Sequence, residues 1–188
     1  MRIKALSAAL LLGVAACGGD GDAPAPATTQ QPADQPATAA ADASWFVVDE
    51  AAQTVTMTLT AGATSANNYW NYNGLFGGAG EITVPEGYTV TITFENRDPA
   101  MAHSVGVGER AASYPTNFSD PQPVFAGAMS SNPTSMTQST MPGQTETLTF
   151  VADRAGEFTL ICYVSGHAAT GMWVNFNVSS DGSHGVQM

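Results

Sequence analysis

The stretch YTVTITFE, residues 88–95, decides the fold class, because apolar and polar side chains alternate along its whole length. This period of two is typical of a half-buried β-strand, in which successive side chains point to opposite faces of a sheet. The same alternation recurs upstream, where Val55, Met57 and Leu59 are separated by threonines. Both stretches therefore predict β-structure.

Further segments have the composition of short strands, and glycine, proline, asparagine and aspartate separate them. They are residues 45–49, 69–72, 81–84, 103–107, 144–151, 156–162 and 172–178. No segment has a sustained helical period. The pattern predicts an all-β domain, a β-sandwich or barrel. Residues 108–142 form a long insert, and loops of this length are usually functional or mobile.

The N-terminal residues predict export. Residues 1–16 combine two basic side chains with an apolar run, as in a signal peptide. The sequence VAAC that ends at Cys17 resembles a bacterial lipobox, which implies that Cys17 is lipidated; an ordinary signal peptide cut nearby is the alternative. A lipid at Cys17 would hold the protein on a membrane, facing the periplasm or the cell exterior. Gly18 after the cysteine implies the outer membrane if the cell has one.

The rest of the chain divides by composition into a tether, a domain and a tail. Residues 17–44 are rich in proline, alanine and aspartate and have few large apolar side chains, which predicts a flexible tether. Residues 45–180 are enough for one domain with its own core. Residues 181–188 are expected to form a polar tail that contains a solvated His184.

The charge balance is strongly acidic. The chain has 5 basic and 16 acidic residues, and removal of residues 1–16 would leave 3 basic residues and a net charge of −13. Such a surface repels nucleic acid and anionic lipid, so we expect no nucleic-acid partner and membrane contact through the lipid anchor only. It would steer basic protein partners, although acidity is also common in exported domains without them.

The stretch CYVSGHAATGM, residues 162–172, places a cysteine, a histidine and a methionine at equal intervals. Neither a helix nor a strand would bring residues at this spacing together. Ligands of one metal ion lie about 2.0 to 2.3 Å from it, so the chain must loop back on itself. Gly166 and Gly171, which precede His167 and Met172, allow the tight backbone conformations that such a loop needs.

Strand parity gives a second reason to group these residues. Cys162 shares a strand face with Phe158 and Leu160, and Met172 shares one with Val174 and Phe176, so both sulfur atoms are expected to point toward the core. His103 shares a face with Val105 and Val107, just after the turn signal at residues 96–99. His103 is therefore the natural fourth member of the group.

Two imidazoles, one thiolate and one thioether form a donor set that suits copper in both oxidation states, with the methionine as a weak axial ligand. With that position filled there is no evident place for a substrate, which favours an electron carrier over an enzyme. The alternative is a buried structural thiol, a loop histidine and a core methionine. That alternative would require the cysteine, the two histidines and the methionine to have unrelated roles although the sequence predicts that they lie together.

These residues resemble the sulfocyanin family of blue copper proteins in the cupredoxin superfamily. The resemblance is carried by AHSV at 102–105, AGEFTLICYVSGHAATGM at 155–172 and NYWNYNG at 68–74, and it extends over most of residues 45–178. It implies a Greek-key β-sandwich of about eight strands around one type 1 copper. The implied ligands are His103, Cys162, His167 and Met172. Ser104 matches a polar position that helps to fix the ligand loops.

The resemblance also implies a function. Its copper would carry single electrons between respiratory redox proteins, such as a c-type cytochrome or a terminal oxidase, and the exposed edge of His167 would be the exit. The alternative is a copper-trafficking protein that delivers copper to an oxidase, because thioethers bind Cu(I). Its candidate residues are Met101, Met129, Met136 and Met141.

Overall fold

A computed structural model describes residues 43–188, and within this part of the chain the fold is built almost entirely of strands. The strands are β1 (Phe46–Asp49), β2 (Thr54–Ala61), β3 (Glu81–Pro85), β4 (Thr89–Asn96), β5 (Gly106–Glu109), β6 (Thr145–Val151), β7 (Gly156–Ile161), β8 (Trp173–Ser179) and β9 (Gly185–Gln187). Two short 3₁₀ helices span Ala66–Tyr69 and Ala168–Thr170. The expected all-β fold class is thereby confirmed.

The strands form two sheets. One has the order β1-β2-β4-β6 and the other the order β5-β7-β8-β3-β9. Strand β4 lies between β2, to which it runs parallel, and β6, to which it runs antiparallel. Its alternation has the predicted result, since Val90, Ile92 and Phe94 are fully buried while the threonines between them are half-buried.

Aromatic side chains fill the space between the sheets. Phe150 of β6 lies against Phe176 of β8 with ring centroids 6.3 Å apart, and Phe125 stacks on Phe150 at 5.6 Å. Burial of a side chain of this size contributes about 1.5 to 3 kcal/mol. The core thus holds together the strands that carry the candidate site.

Two strand predictions and the predicted polar tail need correction. Residues 69–72 do not form a strand, because the chain turns sharply just before them: Asn67, Asn68 and Tyr69 adopt left-handed φ angles of 48°, 56° and 65°. The strand predicted at 103–107 lies at Gly106–Glu109. The expected polar tail at 181–188 contains β9, which pairs with β3 and buries Val186.

The long insert is packed along the edge of β5. Backbone hydrogen bonds join Val124 N–H to Val107 (2.9 Å), Val107 N–H to Ala128 (2.9 Å) and Ser130 N–H to Val105 (2.8 Å). Phe125 of the insert lies in the main core with 1% of its surface exposed. The insert therefore supports the β5 segment and is not a detached loop.

The predicted signal peptide at 1–16, the lipidated Cys17 and all but the last two residues of the tether at 17–44 lie outside the described residues. Among the residues that are described, no helix is long and apolar enough to cross a membrane.

Candidate metal centre

The segment that carries His103 is fixed by the insert. His103 and Thr140 exchange two backbone hydrogen bonds of 3.0 Å each, and the Ser139 hydroxyl donates to the His103 carbonyl at 2.8 Å. Asn96, at the end of β4, donates to the Thr140 and Met101 carbonyls and so closes the turn before His103. His103 is fully buried.

The loop at residues 162–172 returns on itself as its glycines predict. The Cys162 N–H donates to the Met172 carbonyl at 3.1 Å, and the Met172 N–H donates to the His167 carbonyl at 2.9 Å. Gly166 and Gly171 adopt φ angles of 83° and 104°, which residues with a Cβ rarely reach. The loop thereby places Cys162, His167 and Met172 next to one another, all with no exposed surface.

Three donor atoms meet at the centre of this arrangement. Cys162 Sγ lies 3.4 Å from His167 Nδ1 and 3.9 Å from His103 Nδ1, and the two Nδ1 atoms are 3.1 Å apart. Two atoms that each bind one ion at about 2.0 to 2.3 Å cannot be more than about 4.5 Å apart. The three side chains therefore fit a single metal ion, and their nitrogen and sulfur donors suit copper.

A buried carboxylate orients His103, and the sequence did not single it out. Asp98 Oδ2 lies 2.8 Å from His103 Nε2, and only 3% of the Asp98 side chain is exposed. Its other oxygen accepts the N–H groups of Ala100 and Met101. With Nε2 engaged in this way, His103 turns Nδ1 toward Cys162. The available signal was the position of Asp98 in the turn just before His103.

The ionisation of the site follows from its burial. Burial, reinforced by the nearby His103, lowers the pKa of His167 to about 3, and burial also lowers the pKa of His103 although Asp98 opposes the change. Burial would raise the pKa of Asp98, but hydrogen bonds with His103 and two backbone N–H groups bring it below its ordinary value. Near neutral pH both imidazoles are uncharged and have a lone pair for a metal.

Ser104 links the two segments of the site. Its N–H donates to Cys162 Sγ at 3.4 Å, and its hydroxyl accepts the N–H of Tyr163 at 2.9 Å. The buried Tyr72 hydroxyl donates to the Ser104 carbonyl. These contacts fix the cysteine sulfur relative to His103, which agrees with the role that the sequence suggested for Ser104.

His167 is not exposed, and the expectation that its edge would reach solvent is wrong. Its side chain has no accessible surface. The indole ring of Trp70 stacks on the imidazole with ring centroids 4.0 Å apart and an interplanar angle of 22°. The sequence could not reveal this contact, because the two residues lie far apart in the chain.

The third histidine and two of the candidate methionines make other contacts or are exposed. His184 is exposed and contacts the Gly182 carbonyl. Met129 packs in a small apolar cluster with Ile161 and Tyr163, and Met136 is 54% exposed.

Comparison with known proteins assigns most of the chain to one family. A domain model described as the sulfocyanin (SoxE) domain matches residues 42–186. Sulfocyanin of Sulfolobus acidocaldarius is 29% identical over 125 residues, which are 64% of this chain and 61% of that protein. The match thus spans less than two thirds of the relative.

The solved structures to which the chain is similar include two blue copper proteins. Reduced auracyanin from Roseiflexus castenholzii is 25% identical, with 66% of this chain and 96% of that chain covered and a TM-score of 0.45. Rusticyanin from Thiobacillus ferrooxidans is 21% identical, with 72% and 86% covered and the same TM-score of 0.45. Because these scores are low, the assignment rests on the domain match and on the donor set.

Proposed function

The chain belongs to the sulfocyanin family of blue copper proteins, and from this premise we propose that it carries single electrons between respiratory redox proteins on the outer side of a membrane. The observation that supports this most is the buried cluster of His103, Cys162 and His167, whose donor atoms fit one type 1 copper. We propose Met172, buried in the same loop, as the weak axial ligand.

The proposed ligands have separate tasks. When bound, the copper supplies a centre that alternates between Cu(I) and Cu(II). His103 would bind through Nδ1 while Asp98 holds its other nitrogen, and Cys162 would bind as the thiolate while Ser104 donates to its sulfur. Because the core and the hydrogen bonds fix these side chains, they need to move little when the charge changes, which favours rapid electron transfer.

Burial of the site supports a carrier over an enzyme. All four proposed ligands have no exposed surface, so a substrate has no open position beside the metal. Copper trafficking receives less support from the methionines, since Met129 packs against Gly106 and Tyr163 as an ordinary apolar side chain. A protein that hands over its metal also needs a ligand that an acceptor can reach.

The proposed partners follow from charge. The acidic surface would attract a basic redox protein, such as a c-type cytochrome or a terminal oxidase subunit, and repel nucleic acid. We further propose that Cys17 carries a lipid and that the following residues form a tether. That arrangement would keep the copper domain near membrane-bound partners while letting it turn between them.

The test is the visible spectrum of the copper-loaded domain. We expect an intense blue band from thiolate-to-copper charge transfer after addition of one equivalent of Cu(II), and its complete loss in Cys162→Ser. Ser165→Ala changes a partly exposed loop hydroxyl near the site and should keep the band. A wild-type domain without the band, or a band that persists in Cys162→Ser, would overturn the proposal.

A second measurement separates carrier from trafficking protein. We expect a reversible one-electron wave with unchanged copper content, and oxidation of a reduced c-type cytochrome in stopped-flow mixing. Transfer of copper to a copper-free acceptor without any electron transfer would favour the trafficking function instead.

A further inference from the structure

Trp70 occupies the place through which a partner would otherwise reach His167. Its indole covers the imidazole at a centroid distance of 4.0 Å, nearly parallel to it, and His167 has no surface of its own. Trp70 itself is only half-buried, so the residue that covers the proposed ligand also reaches the surface of the protein. The stack therefore connects the buried site to the outside of the protein.

The stack is retained at an energetic cost. Trp70 Nε1 and His167 Nε2 are two of only three buried side-chain N or O atoms without a hydrogen-bond partner among residues 43–188. A buried donor without a partner loses its hydrogen bonds to water without replacement, and such groups call for a specific explanation. Here both belong to a single ring pair, which points to a role for the pair beyond packing.

The loop before Trp70 is built to hold the indole in position. Asn67 Nδ2 donates to the Trp70 carbonyl at 2.8 Å, and the Trp70 N–H donates back to the Asn67 carbonyl at 3.0 Å. Positive φ angles occur at Asn67, Asn68 and Tyr69. Asparagine tolerates this left-handed conformation, but a tyrosine rarely adopts it, so the backbone at Tyr69 is strained.

A second set of contacts ties this loop to its surroundings. Asn71 Nδ2 donates to the carbonyls of Thr64 and Ala66, both at 2.8 Å, and Asn73 binds the backbone of β2 through Thr58 and Thr60. The Gly77 N–H donates to the Gly171 carbonyl at 2.7 Å, which joins the loop directly to the loop of His167. The indole and the imidazole are thus held by one connected backbone framework.

We propose that Trp70 is the residue through which electrons enter and leave the site, and that it also keeps water away from His167. This inference rests on the proposed function, in which His167 binds the copper. With copper bound, the stacked rings would pass one electron outward to a one-electron acceptor at the outer face of the indole. The acceptor would gain the electron that Cu(I) loses on becoming Cu(II), and the indole would be unchanged at the end.

The shielding part can be tested without copper. Diethyl pyrocarbonate modifies accessible imidazoles, and the exposed His184 is an internal positive control in the same chain. In the copper-free wild-type protein we expect modification of His184 and protection of His167, read by peptide mass spectrometry. Trp70→Ala should make His167 reactive, whereas Trp70→Phe, which keeps an aromatic ring, should leave it protected. Equal reactivity of His167 and His184 in the wild type would overturn the proposal.

The conducting part is tested with the copper-loaded protein and tris(phenanthroline)cobalt(III) as the one-electron acceptor. Rate constants from stopped-flow mixing are compared at equal driving force, after the potential of each variant has been measured by voltammetry. Trp70→Leu, which keeps bulk but removes the aromatic ring, should slow the reaction severalfold, and Trp70→Phe should slow it less. Trp45→Leu, at a half-buried tryptophan just before β1, should leave the rate unchanged.

Two outcomes would overturn the conducting role. An unchanged rate in Trp70→Leu would mean that electrons take another route, and a faster rate in Trp70→Ala would mean that the indole only obstructs access. Both are distinct from failure of the proposed function, which would appear as a wild-type protein without a blue band.

Discussion

The two histidines of the site are held in place by opposite means. His103 is fixed by polar contacts, because Asp98 binds its Nε2 atom while Ser139 and Thr140 hold its backbone. Among residues 43–188, none is a hydrogen-bond partner of His167 Nε2, and the face of Trp70 packs on its ring. Both side chains are fully buried, so the difference lies in what surrounds them and not in their exposure.

This difference separates two tasks within one site. A carboxylate on Nε2 fixes the orientation of an imidazole and increases its strength as a donor, which suits a ligand that sets affinity and potential. A stacked indole adds no charge and extends the ring system of the ligand toward the surface, which suits a route for electrons. The following predictions test this division, beginning with the largest expected effect.

The first prediction concerns acid stability of the copper-free protein. Burial lowers the pKa of His167 from 6.5 to about 3, so between these values the unfolded state binds more protons than the folded state. The free energy of unfolding should therefore fall as the pH is lowered through this range, by up to about 1.4 kcal/mol for each pH unit. Urea denaturation at several pH values measures the slope.

His167→Gln should reduce that slope to the smaller part that the lowered pKa of His103 contributes, while His184→Gln, at an exposed position, should leave it as it is. Asp98, whose pKa is also lowered, would add a loss in the same direction at still lower pH. A free energy of unfolding that stays constant from pH 6.5 to pH 4 would contradict the neutral, buried state of His167.

The second prediction concerns copper affinity. Asp98→Ala removes the group that orients His103, and loss of such an outer partner costs about 10- to 100-fold in metal affinity. Asp98→Asn, which keeps an acceptor but removes the charge, should lose less affinity and raise the reduction potential, because a weaker donor favours Cu(I). Competition with a chelator measures the affinity, with the exposed Asp120→Asn as the control.

The copper affinity of Trp70→Ala, measured by the same chelator competition, tests the difference between the two histidines directly. It should change copper affinity less than Asp98→Ala does. If the order were reversed, the division between a ligand that sets affinity and one that conducts would not hold.

The third prediction concerns Ser104, which joins the two halves of the site. Ser104→Ala leaves the buried N–H of Tyr163 without its 2.9 Å acceptor, and this should lower the free energy of unfolding by about 1 to 3 kcal/mol. Ser165→Ala removes a hydroxyl that binds the exposed Asn117 and should cost far less. Equal effects of the two variants in chemical denaturation would contradict a linking role for Ser104.

The smallest expected effect on folding is that of Met172→Leu. The two side chains have similar volume, and such exchanges usually cost less than about 1.5 kcal/mol. Copper should remain bound, but the reduction potential should rise, because loss of a weak axial donor disfavours Cu(II). A lowered potential would count against Met172 as the axial ligand.

The sequence predicted the fold best where one face of a strand is buried. In β4 the apolar Val90, Ile92 and Phe94 alternate with polar residues and all three are buried, so the period of two identifies both the strand and its inner face. The same reasoning failed at residues 69–72, where asparagines favour left-handed turns and overrode the aromatic residues between them. β9 was missed because three residues in a polar setting give no measurable period.

For the candidate site, local pattern identified the donors but not their surroundings. Parity correctly placed Cys162 and Met172 among buried neighbours. For His103 the parity argument identified the residue but did not distinguish the two faces of the segment. Ser104 and Gly106, on the opposite face, are buried as well. Asp98 and Trp70 could not be assigned in this way, because their roles depend on contacts that only the folded chain creates.

The burial of Cys162 affects the reactivity of this thiol in the copper-free protein. Burial raises the pKa of this thiol, so in the copper-free fold it remains protonated, and it has no exposed surface. Oxidants and disulfides react with accessible thiolates, whereas the sulfur of Cys162 is protonated and buried. The copper-free fold should therefore resist oxidation and disulfide formation at Cys162. In this way the fold protects the ligand until copper is bound.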